Sequence, residues 1–338
     1  MQVKRQNIYL LLATALLSVS GCSSPEESGL ESVPIELRAS EAGEVETKAD
    51  ENGIDKEFDT RIFASKRDGD YTKLTATVVD DEWYADTKVT TNGSIALSGN
   101  LVYPQYGDWL YLVAVAPQPT SYTADAGTVG YILDGQTDIL YAKQIQGNRW
   151  DGSRFSNNTD KTVTPLEYTH QLTQLKFKAK KAAEKGLTVK VKSITVKAVT
   201  STMTLTLKDG NAAFTEPTDL ALTLAGDGTE IKSTSAIDLG VLLLPPSTSD
   251  KAYKVTVDTS VGKFEDLTID FSSSGSSSSS SNSSSSNGSN GSGSASGDHF
   301  AKGHSYEVTL NISDKELDIL SVTVAPWSSE EKGNLDLN

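Results

Sequence analysis

Apolar and polar residues alternate with a period of two along most of this chain, and that pattern constrains its fold more than any other feature. The alternation is clearest at residues 187–191, 194–199 and 306–312. A period of two puts successive side chains on opposite faces of a β-strand. Residues 109–116 form a continuous apolar run that ends at Pro117, which favours a buried central strand. Sustained helical periodicity is absent, so the sequence predicts an all-β fold.

Turn residues separate the apolar runs at intervals of roughly 8–12 residues, a spacing typical of β-sandwiches. Residues 272–297 hold 17 Ser and 5 Gly. Such a segment cannot bury apolar area, so it is predicted to be a disordered loop inserted between two strands. The predicted organisation is a signal peptide at 1–21, a tether with a first strand and a loop at 22–58, an N-terminal β-sandwich at 59–162 and a C-terminal β-sandwich at 163–338.

The N-terminus has the parts of a bacterial lipoprotein signal. A short basic segment precedes a mostly apolar stretch at 8–19, which is too short to span a bilayer as a helix. It ends in Val-Ser-Gly-Cys at 19–22, and Cys22 is the only cysteine of the chain, which excludes a disulfide framework. We expect signal cleavage between Gly21 and Cys22, lipidation of Cys22 and anchoring in the outer membrane. A plain secretory signal with an incidental cysteine is the alternative.

The charge of the chain argues against polyanionic partners. The formal net charge is −15, so nucleic acid and anionic lipid headgroups would be repelled. Glu26 and Glu27 follow the lipobox directly. Acidic residues at this place resemble the surface-export signal of Bacteroidetes lipoproteins, and a solvated tether is the alternative.

An isolated strand is predicted at residues 33–39, between two polar and acidic stretches. Val33, Ile35, Leu37 and Ala39 fall on one face, as in a strand that is buried on one side. A proline lies near the start of the strand, which confines the strand to an edge or places that residue at a strand end.

The order of features along the chain resembles the fimbrillins of type V pili. After the lipobox and the lone strand come a polar loop with Thr-Lys-Ala at 47–49 and a strand at 60–64. The further matching segments are residues 137–142, 168–172, 175–177, 242–246, 300–306 and 326–327. No single segment is diagnostic, but the ordered set spans essentially the whole chain.

The resemblance implies two transthyretin-like β-sandwich domains and assembly by strand exchange. In that family a trypsin-like protease cuts the loop after the first strand, which leaves a groove for a strand of another fimbrial subunit. The matching bond is Lys48-Ala49, where Lys replaces the usual Arg; Arg38 and Arg61 are fallback sites inside predicted strands. The strand at 33–39 is then detachable. The precursor would be a surface lipoprotein of the outer membrane, the mature form would lie in the fimbrium, and its target would be a host or bacterial surface ligand.

Two alternatives within the family stay open. In the first alternative, the first strand is permanent and the loop is never cut, as in a subunit that anchors the fimbrium to the membrane. The second alternative concerns the position of the subunit in the fimbrium. Only 11 residues follow Trp327, and among them only Leu335 and Leu337 alternate. Because a stalk subunit needs a C-terminal donor segment, this short tail favours a tip or accessory subunit.

Residue patterns for catalysis, a metal or a cofactor were not found. The three histidines are His170, His299 and His304; His170 lies on the inward face of a predicted strand, which indicates a hydrogen-bonded core residue rather than a ligand. No nucleophile elbow, phosphate-binding loop or dinucleotide fingerprint occurs in a strand–turn–helix setting. We therefore expect no enzyme activity. The alternative function is a surface-exposed glycan-binding lipoprotein that uses Trp150, the tryptophan most expected to be exposed.

Overall fold

The computed structural model describes residues 31–42, 54, 56–99, 101–155, 164–183, 188–247, 252–270, 299–313, 316–325 and 327. Within these ranges the chain forms eighteen strands and no α-helix, so the predicted all-β class is confirmed. The described residues also hold no helix that is long and apolar enough to cross a membrane. The strands are β1 (Leu37–Glu41), β2 (Phe58–Ser65), β3 (Trp83–Val89), β4 (Ser94–Ile95), β5 (Leu110–Ala116), β6 (Ser121–Thr123), β7 (Thr128–Ile132), β8 (Leu140–Gly147), β9 (Leu166–His170), β10 (Thr173–Lys181), β11 (Val189–Thr206), β12 (Ala212–Thr223), β13 (Thr229–Ile231), β14 (Ile237–Leu244), β15 (Tyr253–Thr259), β16 (Lys263–Ile269), β17 (Ser305–Ile312) and β18 (Leu317–Ala325).

Seven strands near the N-terminus form a sheet that closes on itself, in the order β1-β4-β3-β2-β5-β8-β9. The interior of this closed sheet is a hydrophobic core that includes Trp83, Leu112 and Tyr168. Thr60 is a buried polar residue beside this core: its hydroxyl lies 2.8 Å from the Tyr168 hydroxyl and donates to the carbonyl of Val115 at 2.8 Å. Because both hydroxyl groups have hydrogen-bond partners, the desolvation cost of burying them is offset.

The remaining strands form two further sheets. One has four strands in the order β14-β10-β17-β18, and the other has the path β16-β15-β11-β7-β6, with β12 and β13 also paired to β11. The second core joins residues of both sheets to side chains on the outer face of the closed sheet, such as Phe63 and Val113. Strand β11 is continuous over 18 residues, whereas its alternation breaks into separate runs in the sequence. Within the run 194–199 the pairing with β12 shifts register between Val196 and Val199, and Ala198 has a positive φ of 52°, as in a β-bulge.

Strand pairing crosses the sequence ranges predicted for the two sandwiches. The β6–β7 hairpin belongs to the range 59–162, yet β7 pairs with β11. Conversely β9 belongs to the range 163–338, yet it pairs with β8 and β1. The predicted boundary itself falls among residues 156–163, which lie outside the described residues. Two runs that follow one another in sequence, β9 and β10, therefore enter different sheets.

Candidate functional site

The first strand closes the seven-stranded sheet and fills its interior. Ile35, Leu37 and Ala39 are 6%, 4% and 3% exposed and belong to the core of the closed sheet. Val33 is half-buried and packs against that core. The intervening side chains at 34, 36 and 38 are exposed. One face of this short segment thus lines the core and the other faces solvent, which is the geometry of a half-buried strand.

Backbone hydrogen bonds hold the first strand on both sides. Leu37 stands opposite Ile95 in an antiparallel pair, and Ala39 stands opposite Leu166 in a parallel pair. The pairing extends beyond β1 itself, because Ile35 N donates to the carbonyl of Leu101 at 2.9 Å. At the other end Ala42 N donates to the carbonyl of Tyr168 at 2.9 Å. Removing this segment would leave unpaired backbone groups along both β4 and β9.

The chain returns to the same core soon after β1. Ile54 is buried among the side chains inside the closed sheet, and β2 begins at Phe58. The bond Lys48-Ala49 lies between β1 and Ile54, but Lys48 and Ala49 are outside the described residues. So are Gly21, Cys22 and the serine-rich segment 272–297.

The two fallback cleavage sites lie in paired strands. Arg38 is part of β1, and its guanidinium donates to Ser94 Oγ at 3.1 Å. Arg61 lies in β2, where its Nε is 2.5 Å from Asp86 Oδ1 and where backbone pairs link it to β3 and β5. A protease needs an extended and accessible substrate, so neither position is a favourable site in the folded chain.

A buried histidine joins the end of β1 to two other parts of the chain. His170 is 8% exposed; its Nε2 lies 3.0 Å from Glu41 Oε1 and its Nδ1 lies 2.5 Å from Asp138 Oδ2. The indole ring of Trp327 stacks on the imidazole with a centroid distance of 3.8 Å. Burial alone lowers the pKa of His170, but the hydrogen bonds with Asp138 and Glu41 outweigh it and raise the pKa to about 9. The imidazole is therefore charged at neutral pH.

The prediction that His170 is a hydrogen-bonded core residue is confirmed. Its partners were missed, because Asp138 is 32 residues away in sequence and Glu41 is further still. No local pattern links such positions. Among the residues that the structure describes, no group of three or more His, Cys, Asp or Glu side chains could hold a metal ion.

Exposed aromatic side chains occupy two contacting loops at another part of the surface. Trp150 is 53% exposed, the most of the four tryptophans, and Tyr106 and Trp109 are 82% and 40% exposed. The guanidinium carbon of Arg149 lies 5.4 Å from the centroid of the Trp150 ring. Gly107 packs so closely on the indole that a Cβ there would lie 2.3 Å from Trp150 Nε1.

Comparison with known proteins assigns the chain to a family. The family model described as fimbrillin-like matches residues 47–327, which is most of the chain. The chain belongs to the fimbrillin-like family. Among curated proteins, none matches this fimbrillin-like chain in sequence.

Solved structures resemble this fimbrillin-like chain over nearly their full length. A cell adhesion protein described as putative, from Bacteroides uniformis, is 17% identical, with a TM-score of 0.55, and the match covers 88% of this chain and 99% of that one. A second such protein, from Bacteroides ovatus, is 15% identical with a TM-score of 0.52 and coverage of 89% and 99%. A fimbrial protein from Bacteroides vulgatus is 13% identical with a TM-score of 0.49 and coverage of 86% and 98%. At these identities the likeness to the first two structures concerns the fold alone.

Membership of the family fixes the general function. Fimbrillin-like proteins are structural components of fimbriae rather than enzymes. The chain is therefore a fimbrial protein of the cell surface that associates with other fimbrial components.

Proposed function

We propose that this chain is a tip or accessory subunit of a fimbrium and that it assembles by strand exchange after proteolysis. The precursor is a lipoprotein of the outer membrane, cleaved before Cys22 and lipidated on that residue. A trypsin-like protease then cuts Lys48-Ala49, the strand at 33–39 leaves, and a strand of another subunit takes its place. The mature subunit adheres to a ligand on a host or bacterial surface.

The observation that carries this proposal is the position of β1 as the strand that closes the seven-stranded sheet. Burial of Ile35 and Leu37 contributes about 1.5–3 kcal/mol for each side chain, a large part of the ~5–15 kcal/mol stability of a typical domain. Without β1 the sheet has two open edges, on β4 and β9, and an uncovered apolar interior. Such an edge is a template for an added strand of the same alternation.

The location of the candidate cleavage bond supports release of β1 alone. Ile54, on the C-terminal side of that bond, is buried in the core of the closed sheet. The new N-terminus would thus stay attached to the body through Ile54 and β2, and only the segment before the cut would be free to leave.

The pairing of the last strand supports a tip or accessory role. β18 pairs with β17 from Ile312/Leu317 to Ser305/Ala325, and Leu317 and Val322 are buried. If β18 served as a donor, these pairs would be lost from the same subunit. A tip subunit accepts a strand and donates none, so it keeps this sheet intact.

The experiment is cleavage of the membrane-bound precursor by a trypsin-like protease, followed by N-terminal sequencing and SDS gel electrophoresis without boiling. We expect a shortened form that begins at Ala49 and enters high-mass complexes with other fimbrial components. The variant Lys48→Gln is the control and should remain uncut and outside the complexes. A mature fimbrial form that still carries lipidated Cys22 would contradict the proposal and indicate an anchor subunit.

The exposed aromatic loops favour glycan binding as a second candidate function. Trp150 offers an exposed indole beside Arg149, and Tyr106 and Trp109 lie on the neighbouring loop. Exposed aromatic faces suit the apolar faces of sugars. In a polysaccharide-binding assay, Trp150→Ala should abolish binding, whereas Ile132→Ala, at an exposed apolar position of β7, should leave it unchanged. Equal binding by both variants would contradict this function.

A further inference from the structure

Three segments that are distant in sequence meet on the ring of His170. Glu41 is the last residue of β1, Asp138 lies just before β8, and Trp327 follows β18. The ring nitrogens contact the two carboxylates and the indole covers one ring face. The end of the first strand and the end of the last strand are thus joined through one side chain of β9.

The two hydrogen bonds need a protonated ring. A neutral imidazole has one N–H donor and one acceptor nitrogen, whereas an imidazolium donates from both nitrogens. Because carboxylates only accept, His170 can bind Glu41 and Asp138 at the same time only in its charged form. Loss of the proton leaves one of the two carboxylates facing a ring lone pair.

The balance of charge at this site depends on the histidine. Asp138 Oδ1 is buried and has no hydrogen-bond partner among the residues that the structure describes. The charged groups that face the ring from the packed segments are Glu41 and Asp138. The nearby ammonium of Lys302 instead donates to Gln171 Oε1 at 3.2 Å. Two partly buried carboxylates therefore share one cation.

We propose that His170 is a clamp that retains the first strand, linking Glu41 of β1 to Asp138 beneath the ring of Trp327. The clamp acts at the C-terminal end of β1, next to the loop that holds the candidate cleavage bond. Its function as a release control rests on the proposed strand exchange. Loss of Glu41, of the charge on His170 or of the Trp327 indole should free the C-terminal end of β1. The retention of β1 therefore depends on the position of Trp327.

The test is hydrogen–deuterium exchange of the intact, uncleaved chain at pH 7, followed by mass spectrometry of the peptide that covers residues 33–42. Glu41→Gln removes the negative charge of the acceptor and so weakens the hydrogen bond with His170, and exchange of this peptide should become about tenfold faster. Trp327→Ala should speed it too, although that residue lies at the other end of the chain. The matched control is Glu167→Gln, which breaks an exposed ion pair with Lys143 on β8 and β9 and should change nothing.

Measuring exchange of the 33–42 peptide over a series of pH values distinguishes a charge-dependent clamp at His170 from a residue that only fills space. The excess exchange of His170→Gln over the wild type should shrink as the pH rises through about 9, because the wild-type ring then loses its charge. Unchanged exchange of the 33–42 peptide in Glu41→Gln would overturn the proposal, and so would equal acceleration in all strands of Trp327→Ala. No protease or second subunit takes part in this experiment, so its result is independent of whether Lys48-Ala49 is cut and strands are exchanged.

Discussion

Ala39 of β1 stands opposite Leu166 of β9, and the two strands run parallel. The six other pairings around the closed sheet are antiparallel. Antiparallel neighbours can be joined by tight turns, whereas a parallel neighbour requires a longer connection or a separate segment. β1 is thus an inserted strand, held by its two neighbours and by the core rather than by a hairpin. Any segment of matching direction and alternation could occupy the same position.

Truncation of Leu37 tests the contribution of β1 to the core. Leu37→Ala should lower the free energy of unfolding of the intact chain by about 2–4 kcal/mol, because it removes buried methyl groups and leaves a cavity inside the closed sheet. Urea denaturation measures the change. Arg38→Ala, at the neighbouring exposed position, should change the same quantity by less than about 1 kcal/mol. Equal losses would contradict an interior position for Leu37.

A synthetic peptide tests whether the position of β1 can be filled from outside. After cleavage between Lys48 and Ala49, a peptide with the sequence of residues 33–42 should compete with the incoming strand and reduce the yield of high-mass complexes. The same peptide carrying Leu37→Asp should not compete, because a carboxylate would then enter the apolar interior. If both peptides act alike, the competition does not involve the groove.

Stability should fall with rising pH through the titration of His170. The pKa of this residue is raised to about 9 in the folded chain against about 6.5 in an unfolded one. A raised pKa contributes stability that is fully present below pH ~6.5 and is lost as the pH rises through 9. The difference in unfolding free energy between wild type and His170→Gln should therefore shrink by roughly 2–4 kcal/mol between pH 6 and pH 10. A difference that stays constant over this range would show that folding does not raise the pKa of His170.

Alanine substitutions at two glycines distinguish the effect of steric contact with Trp150 from the effect of backbone strain. Gly107 and Gly152 have φ angles of 82° and 81°, so Ala is strained equally at both. A Cβ at Gly107 would lie 2.3 Å from Trp150 Nε1, whereas a Cβ at Gly152 meets no atom within 4 Å. Gly107→Ala should displace the indole and shift its fluorescence spectrum, and Gly152→Ala should only lower stability by about 1 kcal/mol. Equal spectral shifts in both variants would contradict the close packing.

Some features of the site could be predicted and others could not. The inward face of β1 follows from the alternation of Ile35, Leu37 and Ala39, and the buried state of His170 follows from its place in an alternating run. The partners of His170 could not be predicted, because Glu41 and Asp138 are ordinary acidic residues in sequence. They become a pair only where β1 and the start of β8 meet beside β9.

The amino-acid sequence by itself determined the all-β class, the central strand ending at Ala116 and which face of each strand is apolar, because side-chain alternation is a local property with a period of two. Only the tertiary structure decided which strands pair: that β1 closes a sheet between β4 and β9, that β7 joins β11, and that Trp327 covers His170. The backbone hydrogen bonds between paired strands are the same for every sequence, so they do not determine which strands pair. Pairing depends on which apolar faces from distant segments are buried together in one core.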